Sequence, residues 1–249
     1  MGVKTSLKKA ATSLGYEIRR YRPAATAPVD IPQAALYVLP QNSQPLYAPW
    51  RGEDFARYFS IAAPRTSVSA DRCYVLCTLL KQALSIEGDV WECGVYKGGT
   101  AAMLARIMQE SGTSKKFYLF DTFSGMPETD KERDLHQKGD FADTSAEQVE
   151  AYVNAPGIAI LRKGFIPETF SGLESRRIAF AHIDVDIYKS IMDCMHFIWP
   201  RLSSGGFVVF DDYGFPSCPG ALQAVDEFFA NTKARPLCLP TGQAVVFKH

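Results

Sequence analysis

Short apolar runs that alternate with amphipathic stretches constrain this chain more than any other feature. Strand-like segments stand at 89–93, 116–121, 158–162, 178–184, 206–210 and 243–248, and helical spacing is predicted over 70–86, 100–110, 146–153, 188–199 and 220–231. In the first of these helices Val75, Leu76, Leu79, Leu80 and Ala83 recur about one turn apart, until Glu87-Gly88-Asp89 breaks the pattern as a turn. Strands separated by helices cannot pair through short hairpins. The order therefore predicts an α/β fold, a mostly parallel sheet with helices on both faces. A chain of 249 residues that is 47% hydrophobic has enough apolar surface to build one such domain with elaborations. The charged stretch 122–144 is predicted as a loop.

The N-terminal part is different. Residues 1–22 carry Lys4, Lys8, Lys9, Arg19, Arg20 and Arg22 against the single acid Glu17. A basic amphipathic arm of this kind suits peripheral contact with an anionic membrane surface. Residues 23–52 hold Pro23, Pro28, Pro32, Pro40, Pro45 and Pro49, which prevents a long helix and predicts an extended lid or linker. The expected organisation is an arm and lid over 1–60 and a single domain over 61–249.

Acidic and basic residues balance at 27 each, so no overall field draws the chain to nucleic acid, and none is expected as a partner. No stretch approaches the ~20 apolar residues of a membrane span, and the start lacks the apolar core of a signal peptide. Cys73, Cys77, Cys93, Cys194, Cys218 and Cys238 are scattered without a CxxC pair, which fits a reduced cytoplasmic setting rather than a disulfide or zinc framework. A homo-oligomer is expected.

The run from Val90 to Thr100, VWECGVYKGGT, is an apolar strand that turns through glycines into a helix. Gly94 there permits close approach of a ligand to the backbone, and the helix start offers free N–H groups. The spacing is not GxGxxG, so the dinucleotide fingerprint fails. Asp121 ends the next strand, where open α/β folds place a carboxylate on ribose hydroxyls. Glu92 at the first strand tip would repel a pyrophosphate but suits the ammonium of a methionine moiety, which favours S-adenosylmethionine over NAD.

Two pairs of aspartates close apolar strands: Asp184 and Asp186 after Ala181-His182-Ile183, and Asp211 and Asp212 after Val208-Val209-Phe210. Carboxylates converging on one cleft repel unless a cation intervenes, and oxygen-only ligands select a hard ion, with magnesium the best match. No Walker-type loop is present, which argues against phosphoryl transfer.

Taken together, WECGVYKGGT, FDTFSGMPE at 120–128, RKGF at 162–165, HIDVDIY at 182–188 and GGFVVFDDYG at 205–214 resemble the macrocin O-methyltransferase family. The resemblance covers roughly 60–230. It implies a Rossmann-like class I methyltransferase with a mostly parallel seven-stranded sheet, methylating sugar hydroxyls of natural products or surface glycans. Position by position it implies that Glu92 holds the methionine amino group and Asp121 the ribose. Ser124, Gly164 and Phe165 would line the adenosine side, and Asp184, Asp211 and Asp212 would hold magnesium. A substrate with vicinal hydroxyls could chelate that ion.

Asp186 is then the candidate base, because alternation along an extended strand end would send its side chain to the side of Asp184. His182 shares that face but lies deeper, as a satisfied core histidine. A catechol-type enzyme is the rival, yet its lysine base sits closer to the first metal ligand than Lys189 does. A non-catalytic cofactor-binding module is the other alternative, and the intact acids count against it.

Overall fold

The computed structural model describes residues 48–249. The basic arm and nearly all of the Pro-rich stretch lie outside the described residues, so the membrane expectation does too.

Period-two alternation along the strands sets the layers. β1 (Asp89–Cys93), β2 (Phe117–Asp121), β3 (Ala159–Lys163), β4 (Ile178–Ile183), β5 (Leu202–Phe210), β6 (Leu237–Cys238) and β7 (Ala244–Phe247) form one seven-stranded sheet in the order β3-β2-β1-β4-β5-β7-β6. β1 to β5 pair in parallel, and β7 runs antiparallel to both β5 and β6. The expected mostly parallel sheet is therefore present.

Val90, Leu119, Phe180, Phe207 and Val209 face one core. It is completed by α1 (Glu53–Ala62), α2 (Ala70–Ala83), α3 (Gly99–Ser111) and α4 (Ala146–Val153). Trp91, Phe120, Ala181, Val208 and Phe210 face the other core, under α5 (Tyr188–Ile198) and α6 (Pro219–Phe229). Trp91, Phe120 and Phe170 cluster there with ring centroids 4.7 to 5.4 Å apart, each fully buried. Burial of each such side chain stabilises the fold by roughly 1.5–3 kcal/mol.

Three elements differ from the sequence reading. Residues 53–60, assigned to the linker, belong to α1, whose Phe55 and Tyr58 are buried. Tyr58 also donates to Glu110 on α3 at 2.7 Å. The unit carrying the sheet accordingly begins at Ala48. β5 starts at Leu202 rather than 206, because Ser203, Ser204 and Gly205 give its first half a polar, loop-like composition. β6 has only two residues, too few for any periodicity.

One glycine positions the site. Gly94 has φ +86°, and a Cβ there would lie 1.7 Å from the carbonyl oxygen of Asp184. The close approach it permits is thus between the turn after β1 and the end of β4, clasped further by the Asp184 N–H donating to the Cys93 carbonyl at 2.8 Å.

Candidate active site

Five parallel strands end on one cavity of about 300 Å³. Gly94, Val95 and Tyr96 line it after β1, Asp121 and Thr122 at the end of β2, and Gly164 and Phe165 after β3. Asp184 and Asp186 enter after β4, Asp212 and Phe215 after β5. The strand order reverses between β1 and β4, the place where open α/β sheets bind ligands. The charged loop 122–144 closes one side with Met126, His136 and Phe141. Asp134, buried in that loop, anchors it by accepting from the Tyr188 N–H at 2.9 Å, at the start of α5.

On the cofactor side Asp121 ties the strands together. Its Oδ2 accepts from the Val95 and Tyr96 N–H groups, both at 2.8 Å, and its Oδ1 from Phe123 at 2.7 Å. A carboxylate offers about four acceptor positions, so one is left toward the cavity. Gly94, Gly164 and Phe165 line the same space, with Phe165 53% exposed. Ser124 does not: it is exposed and outside the lining, because the chain turns inward again only at Gly125.

Glu92 departs from its expected place. Its position on β1 pairs with His182 on β4, and strand alternation sends both to the face of Val90 and Phe180, under α2. Glu92 is fully buried, lies outside the cavity lining, and hydrogen-bonds through Oε1 to His182 Nδ1 at 3.0 Å. Its Oε2 has no partner among the described residues.

The acids form two clusters that share Asp184. Asp184, Asp186 and Asp212 each bring a carboxylate oxygen within 4.8 Å of the others. An octahedral magnesium ion with ligands at ~2.1 Å sets its oxygens about 3.0–4.2 Å apart, so this trio fits a hard cation with small side-chain adjustment. Burial pushes the Asp184 and Asp212 carboxyls well above the usual range, and the neighbouring carboxylates push them further. Burial also raises Asp186, opposed by His136. A cation would reverse these penalties. Asp186 reaches the trio through a left-handed backbone, φ +56°, with its N–H donating to Asp212 at 3.2 Å, not through the extended alternation expected from sequence.

Asp211 forms the second cluster, with His182 and Asp184, and its oxygens are already engaged there. It is fully buried, ion-paired with Arg72, and accepts from Gln243 Nε2 at 2.7 Å, with His182 Nε2 at 3.4 Å. Burial works against its charge, but the hydrogen bond and charge of His182, then Arg72, hold its carboxyl below the usual range. Both oxygens are engaged by protein donors, which leaves Asp184 and Asp212 as the open carboxylates, with Asp186 beside them. His182 is the satisfied buried histidine expected. Burial alone would lower its pKa, yet hydrogen bonds to Asp211 and Glu92 raise it well above the ordinary value.

Sequence reasoning missed Arg72, His136 and Cys218, all of which line the cavity. Arg72 sits on a helix with no motif, and the other two lie in irregular segments, so only the tertiary fold could bring them in. Lys189, which a lysine-base mechanism would need, pairs with Asp193 on the exposed side of α5 and is not in the lining.

Residues 63–247 match the model of the macrocin O-methyltransferase (TylF) family. The chain belongs to this family. Its domain is similar, at 32% identity over 158 residues, to the 8-demethyl-8-(2,3-dimethoxy-alpha-L-rhamnosyl)-tetracenomycin-C 4'-O-methyltransferase of Streptomyces olivaceus, covering 59% of this chain and 60% of that protein. It is 29% identical over 187 residues to the mycinamicin III 3''-O-methyltransferase of Micromonospora griseorubida, covering 69% and 72% of the two chains. Among solved structures, the O-methyltransferase NovP superposes with TM-score 0.66 at 21% identity, over 74% of this chain and 82% of that one. The calicheamicin methyltransferase CalS11 gives 0.62 at 19%, over 79% and 93%. These two structures share the class I methyltransferase fold with the family member described here.

Proposed function

We propose that this chain is an S-adenosylmethionine-dependent, magnesium-dependent O-methyltransferase acting on a sugar hydroxyl of a natural product or surface glycan. One observation carries the reading: the carboxylate trio of Asp184, Asp186 and Asp212 opens into the same cavity as the turn at Gly94–Tyr96 and Asp121. Family membership and a relative named as the O-methyltransferase of a rhamnosyl-bearing tetracenomycin support it.

S-adenosylmethionine supplies the methyl group. Asp121 would accept from a ribose hydroxyl with its remaining acceptor position, Gly94 and Gly164 line the cofactor space, and the half-exposed Phe165 would offer its ring to the adenine. Glu92 acts from beneath, by holding His182, rather than by touching the cofactor.

Asp184 and Asp212 would hold the magnesium ion, which would supply a Lewis acid to orient vicinal hydroxyls and lower their pKa. Asp186, beside these two acids and facing the cavity, would take the hydroxyl proton. Asp211 supports the wall through Arg72. Methyl transfer needs acceptor oxygen, methyl carbon and sulfur nearly in line, so fixing the acceptor and cofactor in one walled cavity supplies much of the acceleration.

Calorimetry tests the cofactor half directly. S-adenosylmethionine or its demethylated product should bind with one site per chain, and NAD should not. Tighter binding of NAD would overturn the assignment.

A further inference from the structure

Beside the carboxylate trio lies a second group of donors. His136 Nε2, Asp186 Oδ1 and Cys218 Sγ stand 3.7, 3.5 and 3.7 Å apart in a nearly equilateral triangle. They come from the charged loop, the end of β4 and the segment before α6, and all three face the cavity. Tetrahedral zinc, with bonds of about 2.0–2.3 Å to nitrogen, oxygen and sulfur, places such donors roughly 3.4–3.6 Å apart. Only a few tenths of an ångström separate the two.

Two further features fit a metal. His136 Nδ1 lies 3.1 Å from Asp140 Oδ2. A carboxylate beyond the ligating histidine fixes the ring and leaves the other nitrogen free to bind, the usual support of a zinc-bound imidazole. The donor set is nitrogen, oxygen and sulfur, which selects a borderline-soft ion and disfavours magnesium.

We propose that His136, Asp186 and Cys218 form a site for a zinc-like divalent ion, open to the cavity at its fourth position, and that its occupancy withdraws Asp186 from proton transfer. Binding releases the Cys218 thiol proton to solvent as the thiolate forms. The inhibitory consequence rests on the reading of Asp186 as base; the binding site itself does not.

Cobalt(II) is the probe, added to the metal-free full-length protein; only a site that includes Cys218 gives sulfur-to-metal charge transfer, which separates it from the all-oxygen trio. One equivalent should produce a sulfur-to-cobalt charge-transfer band with tetrahedral visible absorption. The band should vanish in Cys218→Ser and His136→Ala and persist in Cys238→Ser, whose cysteine is exposed and distant in sequence. Asp140→Asn should keep the band but weaken binding by about 10–100-fold. Circular dichroism identifies any variant that fails to fold, and His136→Gln then stands in for His136→Ala. No band in the wild type, or a band that survives Cys218→Ser, overturns the site. Zinc should inhibit methyl transfer in parallel with cobalt binding. A normal cobalt spectrum without zinc inhibition would keep the site and remove Asp186 from the role of base.

Discussion

Replacing Arg72 with leucine tests whether Asp211 is a structural anchor or a free metal ligand. Asp211 is fully buried and the Arg72 side chain is 12% exposed, so the pair is largely out of water. Removing one partner of a buried ion pair costs about 3–5 kcal/mol, because the other charge is left uncompensated. Gln243 and His182 still donate to Asp211, which offsets part of that loss. Arg72 also gives up its position over the Phe215 ring, 4.7 Å away, worth ~0.5–1 kcal/mol. The net expectation for Arg72→Leu is a loss of about 3 kcal/mol by urea denaturation of the metal-free protein. At 2–4 °C per kcal/mol for a domain of this size, the melting temperature should fall by roughly 6–12 °C. Adding Asp211→Asn in the Arg72→Leu background removes the stranded charge. The double variant should therefore be more stable than the sum of the single losses by at least ~1 kcal/mol. A loss under about 1 kcal/mol for Arg72→Leu, additive with Asp211→Asn, would refute the anchor and return Asp211 to the set of available metal ligands.

Other consequences follow from the same geometry. Asp184→Asn should abolish magnesium binding measured by calorimetry and activity together, whereas Asp186→Asn should keep cofactor and magnesium while turnover falls by roughly 10²–10⁴-fold, mainly in kcat; near-normal turnover would move the base elsewhere. Glu92→Gln should leave S-adenosylmethionine affinity within about threefold and lower stability by ~1–3 kcal/mol, since it disturbs a buried hydrogen bond rather than a cofactor contact. A loss of tenfold or more in affinity, about 1.4 kcal/mol, would restore Glu92 to the methionine ammonium. Thiol titration of the native protein should show fast reaction at Cys238 and none at Cys73, Cys77, Cys93 and Cys194, which are buried away from the cavity, where burial raises the thiol pKa of Cys77 to about 12. Rapid labelling of any of these four would show that the core opens.

The sheet was legible because its central strands β1, β2, β4 and β5 are buried on both faces over most of their length and bounded by turns, which leaves short apolar runs that nothing else explains. β6 and the polar half of β5 were not, since two residues carry no period and Ser203-Ser204-Gly205 look like a loop. At the site, Gly94, Asp121, Asp184, Asp186 and Asp212, each announced by a strand end, all face the cavity. Other residues lie elsewhere than expected because the direction of a side chain depends on tertiary detail. Glu92 and Asp211 look like strand-tip acids in sequence, but strand alternation and Arg72 draw them beneath the cavity. Asp186 reached its expected neighbours by an unexpected route, a left-handed turn that no periodicity encodes. Arg72, His136 and Cys218 lie far apart along the chain and meet only in the fold.

The reaction proposed for this cavity is methyl transfer from S-adenosylmethionine to a sugar hydroxyl at the carboxylate trio. It is tested most directly by incubating the protein with S-adenosylmethionine and a panel of glycosides and sugar nucleotides, with a catechol included, each with magnesium and with chelator. Mass spectrometry of the products reads acceptor and metal dependence at once. A gain of one methyl group is expected on a glycoside with vicinal hydroxyls, lost on chelation and restored by magnesium. Methylation of the catechol alone, or sugar methylation that is indifferent to chelator, would contradict it.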